Sequence, residues 1–210
     1  MTISLPPEGQ RTFSDYLEKW AGDCPDKTWL RDRKGDEFTE WTWKTAKAEI
    51  DAVAAWLQQN IEGNGVAAAI LSRNRAHWVM ADMALAESGN VSVPIFTTLA
   101  NETVEYILDF AEVKLLFVGE SDNWENVRQI VSSDITIVAF PGVDPGIPHL
   151  RWDDLIAQCA GQSSSYQCNH EELVTIVFTS GTTGMPKGVM QTHDSMLIPM
   201  ERGQREFQLP

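Results

Sequence analysis

The chain has 210 residues, of which 30 are acidic and 16 are basic, so its formal net charge is −14. A surface of that sign repels polyanions over a Debye length, which argues against nucleic acid as a partner. Hydrophobic residues make up 43% of the sequence, and folding at this length requires neither a disulfide nor a metal.

The first segment, residues 1–60, alternates helical and extended patterns. Apolar side chains recur at helical spacing behind a capping threonine, and two β-rich runs then flank the polar Lys34-Gly35-Asp36 turn. We expect a hairpin with the aromatic side chains of Trp41 and Trp43 on one face. The predicted elements are a helix over Thr12–Gly22, strands over Thr28–Arg31 and Glu37–Trp43, and a helix over Thr45–Gln59.

The second segment, residues 61–170, alternates apolar strands with helices. Strands that are apolar on both faces and joined by helices imply right-handed βαβ crossovers. The fold class is therefore predicted as α/β, with a doubly wound, mostly parallel sheet and helices on both faces. The predicted strands are Val66–Leu71, Val91–Ile95, Lys114–Val118 and Ile135–Phe140. The predicted helices are Ala76–Glu87, Asn101–Ala111, Asn123–Val131 and Asp153–Cys159, with loops over residues 141–150 and 161–165.

Cysteine usage and the first residues predict a cytoplasmic protein. Cys24, Cys159 and Cys168 show no CxxC spacing, and none lies at metal-ligand spacing to a histidine. We read them as thiols of a reducing compartment and assign no metal ligand within the chain. The start of the chain lacks the basic residues and apolar run of a signal peptide, and no stretch approaches the roughly 20 apolar residues of a membrane span.

The third segment, residues 171–210, carries the chemistry. A β-branched strand, Leu173–Phe178, runs into Thr179–Gly188, which holds four hydroxyl side chains, three glycines and one lysine. Glycines let backbone N–H groups approach a ligand, hydroxyls donate to phosphate oxygens, and the lysine supplies a mobile positive charge. The segment predicts an anion cradle, followed by a short strand over Val189–His193 and a truncated helix-like stretch.

Two other interpretations of this loop fit the sequence less well. A structural hairpin loop rich in glycine and threonine seldom ends in Pro-Lys-Gly. The P-loop pattern of the common NTPases fits Gly181 and Lys187, but it would require glycine at Pro186 and a serine or threonine at Gly188. A strand rather than a helix is also predicted after Gly188, so the loop is not of that kind.

From Phe178 to Val189 the sequence resembles the signature loop of the acyl-adenylate-forming, AMP-binding family. This family includes acyl-CoA synthetases, luciferases and adenylation domains of peptide synthetases. Within it the chain is most similar to bacterial long-chain fatty-acyl-CoA synthetases. The upstream positions that share this likeness are Ser72-Arg73-Asn74-Arg75, Trp78, Asp82, Gly89, Val93-Pro94, Thr97-Thr98-Leu99 and Glu105-Tyr106-Ile107-Leu108.

The resemblance implies that the loop closes on the β- and γ-phosphates of ATP while a fatty acid is adenylated and passed to CoA. Lys187 is the expected catalytic residue, since it would neutralise charge on the departing pyrophosphate. The implied hydroxyl donors are Thr179, Ser180, Thr182 and Thr183, and the glycines implied to give backbone access are Gly181, Gly184 and Gly188. Mg²⁺ is implied as well, with ligands mostly outside this chain.

Later motifs of that family are absent. These are a Tyr-Gly-x-Thr-Glu segment, a Thr-Gly-Asp segment and a lysine on a mobile C-terminal domain. We therefore expect the chain to be the N-terminal portion of the large domain, inactive as a ligase alone, with apolar surface that favours self-association. Peripheral membrane contact is an option for the longer enzyme. Another adenylate-forming ligase, such as an aryl-CoA ligase, and a non-catalytic nucleotide-binding module remain alternatives.

Three further features have more than one interpretation. His193, just after the loop, is either a structural histidine or a polar contact at the rim of the acid-binding region. The cluster Arg73-Asn74-Arg75 is read as capping the next helix and forming surface salt bridges. Trp78 on that helix is expected in the core rather than at a ligand.

Overall fold

The computed structural model describes residues 4–179 and 185–207, apart from the side chain of Lys34. Within these ranges the helices are α1 Phe13–Asp23, α2 Trp43–Asn60, α3 Ala76–Glu87, α4 Asn101–Phe110, α5 Trp124–Val127, α6 Trp152–Gln158 and α7 His193–Glu206. The strands are β1 Thr28–Lys34, β2 Glu37–Thr42, β3 Ala67–Leu71, β4 Val91–Ile95, β5 Leu115–Val118, β6 Thr136–Ala139, β7 Leu150–Arg151, β8 Leu173–Thr179 and β9 Lys187–Thr192. None of the described helices has both the length and the apolar character needed to cross a bilayer.

The described residues form a seven-stranded sheet with the order β7-β6-β5-β3-β4-β8-β9, beside a separate β1-β2 hairpin. Every neighbouring pair in the large sheet is parallel except β8 and β9, which are antiparallel. The prediction of a mostly parallel, doubly wound α/β sheet is confirmed.

The two faces of the sheet are covered by different helices. On β3, Ala68 and Ile70 pack into the cluster formed with α2, α3 and α6, whereas Ala69 and Leu71 pack into the cluster formed with α4 and α5. All four side chains are at most 3% exposed, as expected for a strand whose alternate residues point to opposite buried layers. This two-sided burial explains why β3 reads as a continuous apolar run.

The order of the strands creates a switch point at the carboxyl edge of the sheet. The chain passes from β3 to β4 on one side, and the next crossover returns it to β5 on the other side of β3. The connections that follow β3 and β5 therefore leave toward opposite faces. Ligands of open α/β sheets bind outside the carboxyl ends of the strands, so a ligand-binding site is expected at this edge.

Most predicted boundaries agree with the structure to within two residues. Strand β1 extends to Lys34, beyond the predicted end at Arg31, and the unpredicted strand β7 begins at Leu150, the last residue of the predicted loop.

Two further differences have a clear physical reason. The predicted strand through Trp43 is wrong at its last residue, because Thr42 and Thr45 form a capping box that begins α2 there. The Trp43 ring stacks on Trp29 with a centroid distance of 4.2 Å.

The predicted helix over Asn123–Val131 is too long, since α5 ends at Val127. After it, Gln129 N–H donates to Asn126 O and Ile130 N–H donates to Val127 O, which is tighter i→i+3 bonding. The Asn123 side chain bonds Leu99 O instead of capping α5. Because no side chain caps the N-terminus of α5, this short helix gains little stability from added residues and ends early.

The Asp32 side chain connects the β1-β2 hairpin to the N-terminus of helix α3. One Asp32 oxygen accepts a hydrogen bond of 2.7 Å from Ala76 N–H, at the first turn of α3. The other lies 3.8 Å from Arg75 Nε. Arg75 occupies the N-cap position but makes no side-chain cap bond, so the acceptor for α3 comes from a strand 44 residues earlier in the chain.

Replacing Asp32 with alanine should therefore destabilise the fold by about 1–2 kcal/mol, because α3 loses its N-terminal acceptor and Arg75 loses its ion-pair partner. Chemical denaturation measures this change. Asp36→Ala is the matched control, since Asp36 lies at the turn of the same hairpin with a fully exposed side chain. Equal midpoints for the two variants would contradict the role given to Asp32.

Candidate functional site

The predicted anion loop connects β8 to β9. Thr179 ends β8, Lys187 begins β9, and the two residues are paired across the antiparallel ladder. The Thr179 hydroxyl lies 3.5 Å from Lys187 O. Because β8 runs parallel to β4, the loop leaves the sheet at the carboxyl edge. The fold thus places this segment at the edge where α/β proteins bind ligands.

Five of the predicted binding residues lie outside the described ranges. They are Ser180, Gly181, Thr182, Thr183 and Gly184. Thr179, Lys187 and Gly188 are described, and the first two are exposed. Among the described residues, no acidic side chain forms an ion pair with Lys187. The contact of Lys187 with an anion stays a prediction.

Gly188 has a steric reason to be glycine that is separate from ligand access. It is paired with Phe178 on β8, and a Cβ at this position would lie 2.8 Å from Ile176 Cγ2 and 3.4 Å from Phe178 Cζ. Contacts under 3.0 Å force a neighbour to move. The predicted contact of Gly188 with phosphate stays a prediction.

An apolar pocket of about 440 Å³ adjoins the two ends of the loop. Thr179 and Pro186 form its rim on the loop side, and Phe96, which follows β4, is 64% exposed beside it. The remaining lining residues are Leu99, Thr103, Ile107, Val177 and Phe178. A loop predicted to bind an anion, beside an apolar pocket, suits a substrate that combines a charged group with a hydrocarbon or aromatic part.

The cluster Arg73-Asn74-Arg75 lies at a polar crevice of about 560 Å³ that also contains His77 and Glu49. Arg73 pairs with Asp122 beyond β5, and Arg75 donates to Pro141 O at 3.0 Å. The predicted salt bridges are confirmed, but the predicted capping by this cluster is wrong because Asp32 takes that role.

His77 itself is buried in this crevice. Burial, followed by the charge of Arg75, lowers the pKa of His77 to about 4, so the imidazole is neutral near pH 7.

His193 is a structural histidine in this fold. It is 2% exposed at the start of α7, and its Nδ1 accepts a hydrogen bond of 3.2 Å from Phe13 N–H. Burial lowers the pKa of His193, in agreement with a neutral ring whose Nδ1 is an acceptor. Trp78 is half-buried and packs against the core cluster, as expected.

No group of three or more His, Cys, Asp or Glu side chains is arranged to hold a metal within residues 4–179 and 185–207. The three cysteines are all free thiols. The sequence signal for this site was the loop composition, which pointed to Thr179 and Lys187. Asp32 and the apolar pocket were missed, because both depend on contacts between residues distant in the sequence.

A sequence profile of the family described as AMP-binding enzyme matches residues 17–209. The chain belongs to this family. The long chain acyl-CoA synthetase 5 of Arabidopsis thaliana is 30% identical, with 91% of this chain and 32% of the relative covered. The fatty acyl-CoA synthetase A of Dictyostelium discoideum is 29% identical, with 80% of this chain and 27% of the relative covered. The chain thus spans about one third of the length of these curated relatives.

Two solved structures named as CoA ligases share the fold. An anthranilate CoA ligase in complex with anthranoyl-AMP superposes with a TM-score of 0.76 at 25% identity, covering 90% of this chain and 36% of that chain. A putative long-chain-fatty-acid CoA ligase from Rhodopseudomonas palustris gives a TM-score of 0.80 at 19% identity, covering 95% and 49%. The predicted family and fold class are both confirmed.

Substituting Gly188 by alanine should destabilise the β8-β9 pair of this AMP-binding chain by about 1–3 kcal/mol, because the new methyl group meets the Ile176 methyl. Thermal unfolding measures the loss. Gly203→Ala is the matched control: Gly203 lies within α7 with open space around it, and alanine there should stabilise the helix by up to about 1 kcal/mol. A Gly188→Ala protein as stable as the parent would show that the strands adjust without cost.

Proposed function

We propose that this chain is part of an AMP-forming acyl-CoA ligase that activates a long-chain fatty acid with ATP and transfers it to CoA. The observation that carries the proposal is the position of Thr179 and Lys187. Both lie at the carboxyl edge of the sheet, at the two ends of the family's signature loop, and Thr179 and Pro186 line an apolar pocket there. The proposed anion site would thus adjoin an apolar site.

The proposed chemistry has two steps. A carboxylate oxygen of the acid attacks the α-phosphorus of ATP, the bond to the β-phosphate oxygen breaks, and pyrophosphate leaves. The thiol of CoA then attacks the acyl carbon, loses its proton, and displaces AMP. In the first step Lys187 would compensate the charge that develops on pyrophosphate, and the hydroxyl of Thr179 would donate to a phosphate oxygen.

Two observations favour a fatty acid as the substrate. The pocket beside the loop is lined mainly by apolar side chains, including Leu99, Ile107 and Phe178. The relatives at about 30% identity are named as long-chain or fatty acyl-CoA synthetases. An aryl-CoA ligase is the second candidate, because the anthranilate CoA ligase shares the fold at 25% identity. A non-catalytic nucleotide-binding module is the third.

The proposal also covers the metal ion, the cellular location and the partners of the enzyme. Mg²⁺ would accompany ATP, and its protein ligands would lie mostly in other parts of the ligase. We also propose a cytoplasmic location, a place within the bacterial long-chain group, and contact with membranes that is at most peripheral. The negative charge of the chain supports the exclusion of nucleic acid as a partner.

The role of Lys187 is tested by ATP–pyrophosphate exchange in a ligase that contains this chain. Lys187→Ala should slow exchange by about 100-fold or more while acid binding changes little, because the loop acts on developing charge. Lys44→Ala, at an exposed position on α2, is the matched control. Exchange that is unaltered in Lys187→Ala would refute the role. Palmitate as a better substrate than benzoate would favour the fatty-acid proposal, and the reverse would favour an aryl-CoA ligase.

The 210 residues alone should form no acyl-CoA and should self-associate. The first expectation follows from the family motifs absent from this chain, and the second from exposed apolar side chains on β9, on α7 and just after α7. Met190 is 67% exposed, Met200 58% and Phe207 73%. Product analysis and light scattering at high concentration measure the two properties. Acyl-CoA formation, or a clean monomer, would contradict the respective expectation.

A further inference from the structure

A second polar cavity, of about 610 Å³, separates α1 from α2, the end of α3 and residues 163–170. Lys47 on α2 bridges two helices across its wall. Its Nζ lies 2.8 Å from Glu18 Oε1 on α1 and 2.7 Å from Asp51 Oδ2 on α2. The Lys47 side chain is only 16% exposed, so this ammonium forms a largely buried electrostatic link between α1 and α2.

Glu87, the last residue of α3, faces the same cavity and is 8% exposed. The carboxyl groups of Asp51 and Glu18 line the same cavity, and both are paired with the Lys47 ammonium. No ion pair of this kind involves Glu87 within the described residues. A buried carboxyl group beside other carboxylates is stabilised in its neutral form, so the proton resides on Glu87.

The remaining groups that face Glu87 do not supply a second permanent cation. Those with ionisable side chains are Asp15 and Glu18 on α1, Lys47 and Asp51 on α2, and Tyr166, Cys168 and His170 in the segment beside them. Burial raises the pKa of Cys168 to about 11, so this thiol stays neutral through pH 9. Loss of the Glu87 proton would leave one ammonium among at least three carboxylates.

We propose that the proton on Glu87 holds α1 closed against α2 and α3, which makes this corner of the fold an alkaline-sensitive latch. Deprotonation places a third negative charge beside Glu18 and Asp51. Opening of α1 relieves the repulsion and lets water enter from the cavity. The inference concerns the fold and is independent of the proposed ligase activity.

The pH range over which α1 opens is set by the difference in the pKa of Glu87 between the closed and open forms. Burial, reinforced by the Asp51 charge, raises the pKa of Glu87 from 4.5 to about 8 in the closed form. In the open form the carboxyl is hydrated and returns toward its ordinary pKa. The closed form therefore binds one more proton between these two values. Opening becomes more favourable as pH rises through this range, by up to about tenfold per pH unit, and levels off above pH 8.

Hydrogen exchange of the full chain between pH 6.5 and 9.5 tests this inference. Protection factors, which divide out the intrinsic pH dependence of exchange, should fall by up to about tenfold per pH unit in α1 until pH 8. They should stay constant in α4, which packs on the opposite face of the sheet. In Glu87→Gln the side chain keeps its size and polarity but cannot ionise, so protection of α1 should be independent of pH.

Two further variants complete the experiment. Glu62→Gln, at an exposed position outside the cavity, should behave as the parent protein does. Asp51→Asn removes the neighbouring charge, so the levelling-off should move below pH 8 even if Glu87→Gln fails to fold. A parent-like slope in Glu87→Gln, or an unshifted levelling point in Asp51→Asn, would overturn the proposal. A loss of protection that is equal in α1 and α4 would overturn it as well.

Discussion

The pairing of β8 with β4 is the contact on which the candidate site depends. Ser92 and Thr175 are partners across this junction, both are buried, and the Thr175 hydroxyl donates to Ser92 O at 3.1 Å. Everything that follows in the chain, including the loop, β9 and α7, is joined to the parallel sheet here. A side chain bonding to the neighbouring strand's backbone fixes where β8 lies along β4. That position in turn sets Thr179 at the carboxyl edge.

Local sequence patterns predicted most of this architecture. Strand β4 and helix α3 were predicted at their exact limits, because Gly89 and Asn90 separate two segments with different periods. The boundaries of α2 and α5 were predicted wrongly because a polar side chain at each could form either of two hydrogen bonds. Thr42 could continue a strand or cap a helix, and Asn123 could cap a helix or bond a distant loop. Local periodicity does not distinguish such options, because the partner that decides lies elsewhere in the chain.

The candidate site was predictable for a different reason. A phosphate cradle is built from consecutive residues, so its composition is visible in one stretch of sequence. Asp32 and Phe96, by contrast, act across the fold: one caps a helix that begins 44 residues later, and the other lies beside a pocket completed by β8. Five residues of the loop lie outside the described ranges, so the composition of the loop and the described residues Thr179, Lys187 and Gly188 carry the assignment.

Strand β9 runs from the carboxyl edge of the parallel strands back to their amino edge. It begins at Lys187 on the ligand side, and its six residues lead directly into His193, whose ring nitrogen accepts the Phe13 N–H at the start of α1. This one strand, hydrogen-bonded to β8, therefore spans the distance of about 20 Å between the predicted phosphate contact and the residue that meets the first helix. The strand that carries the predicted loop lysine thus also positions the start of α1.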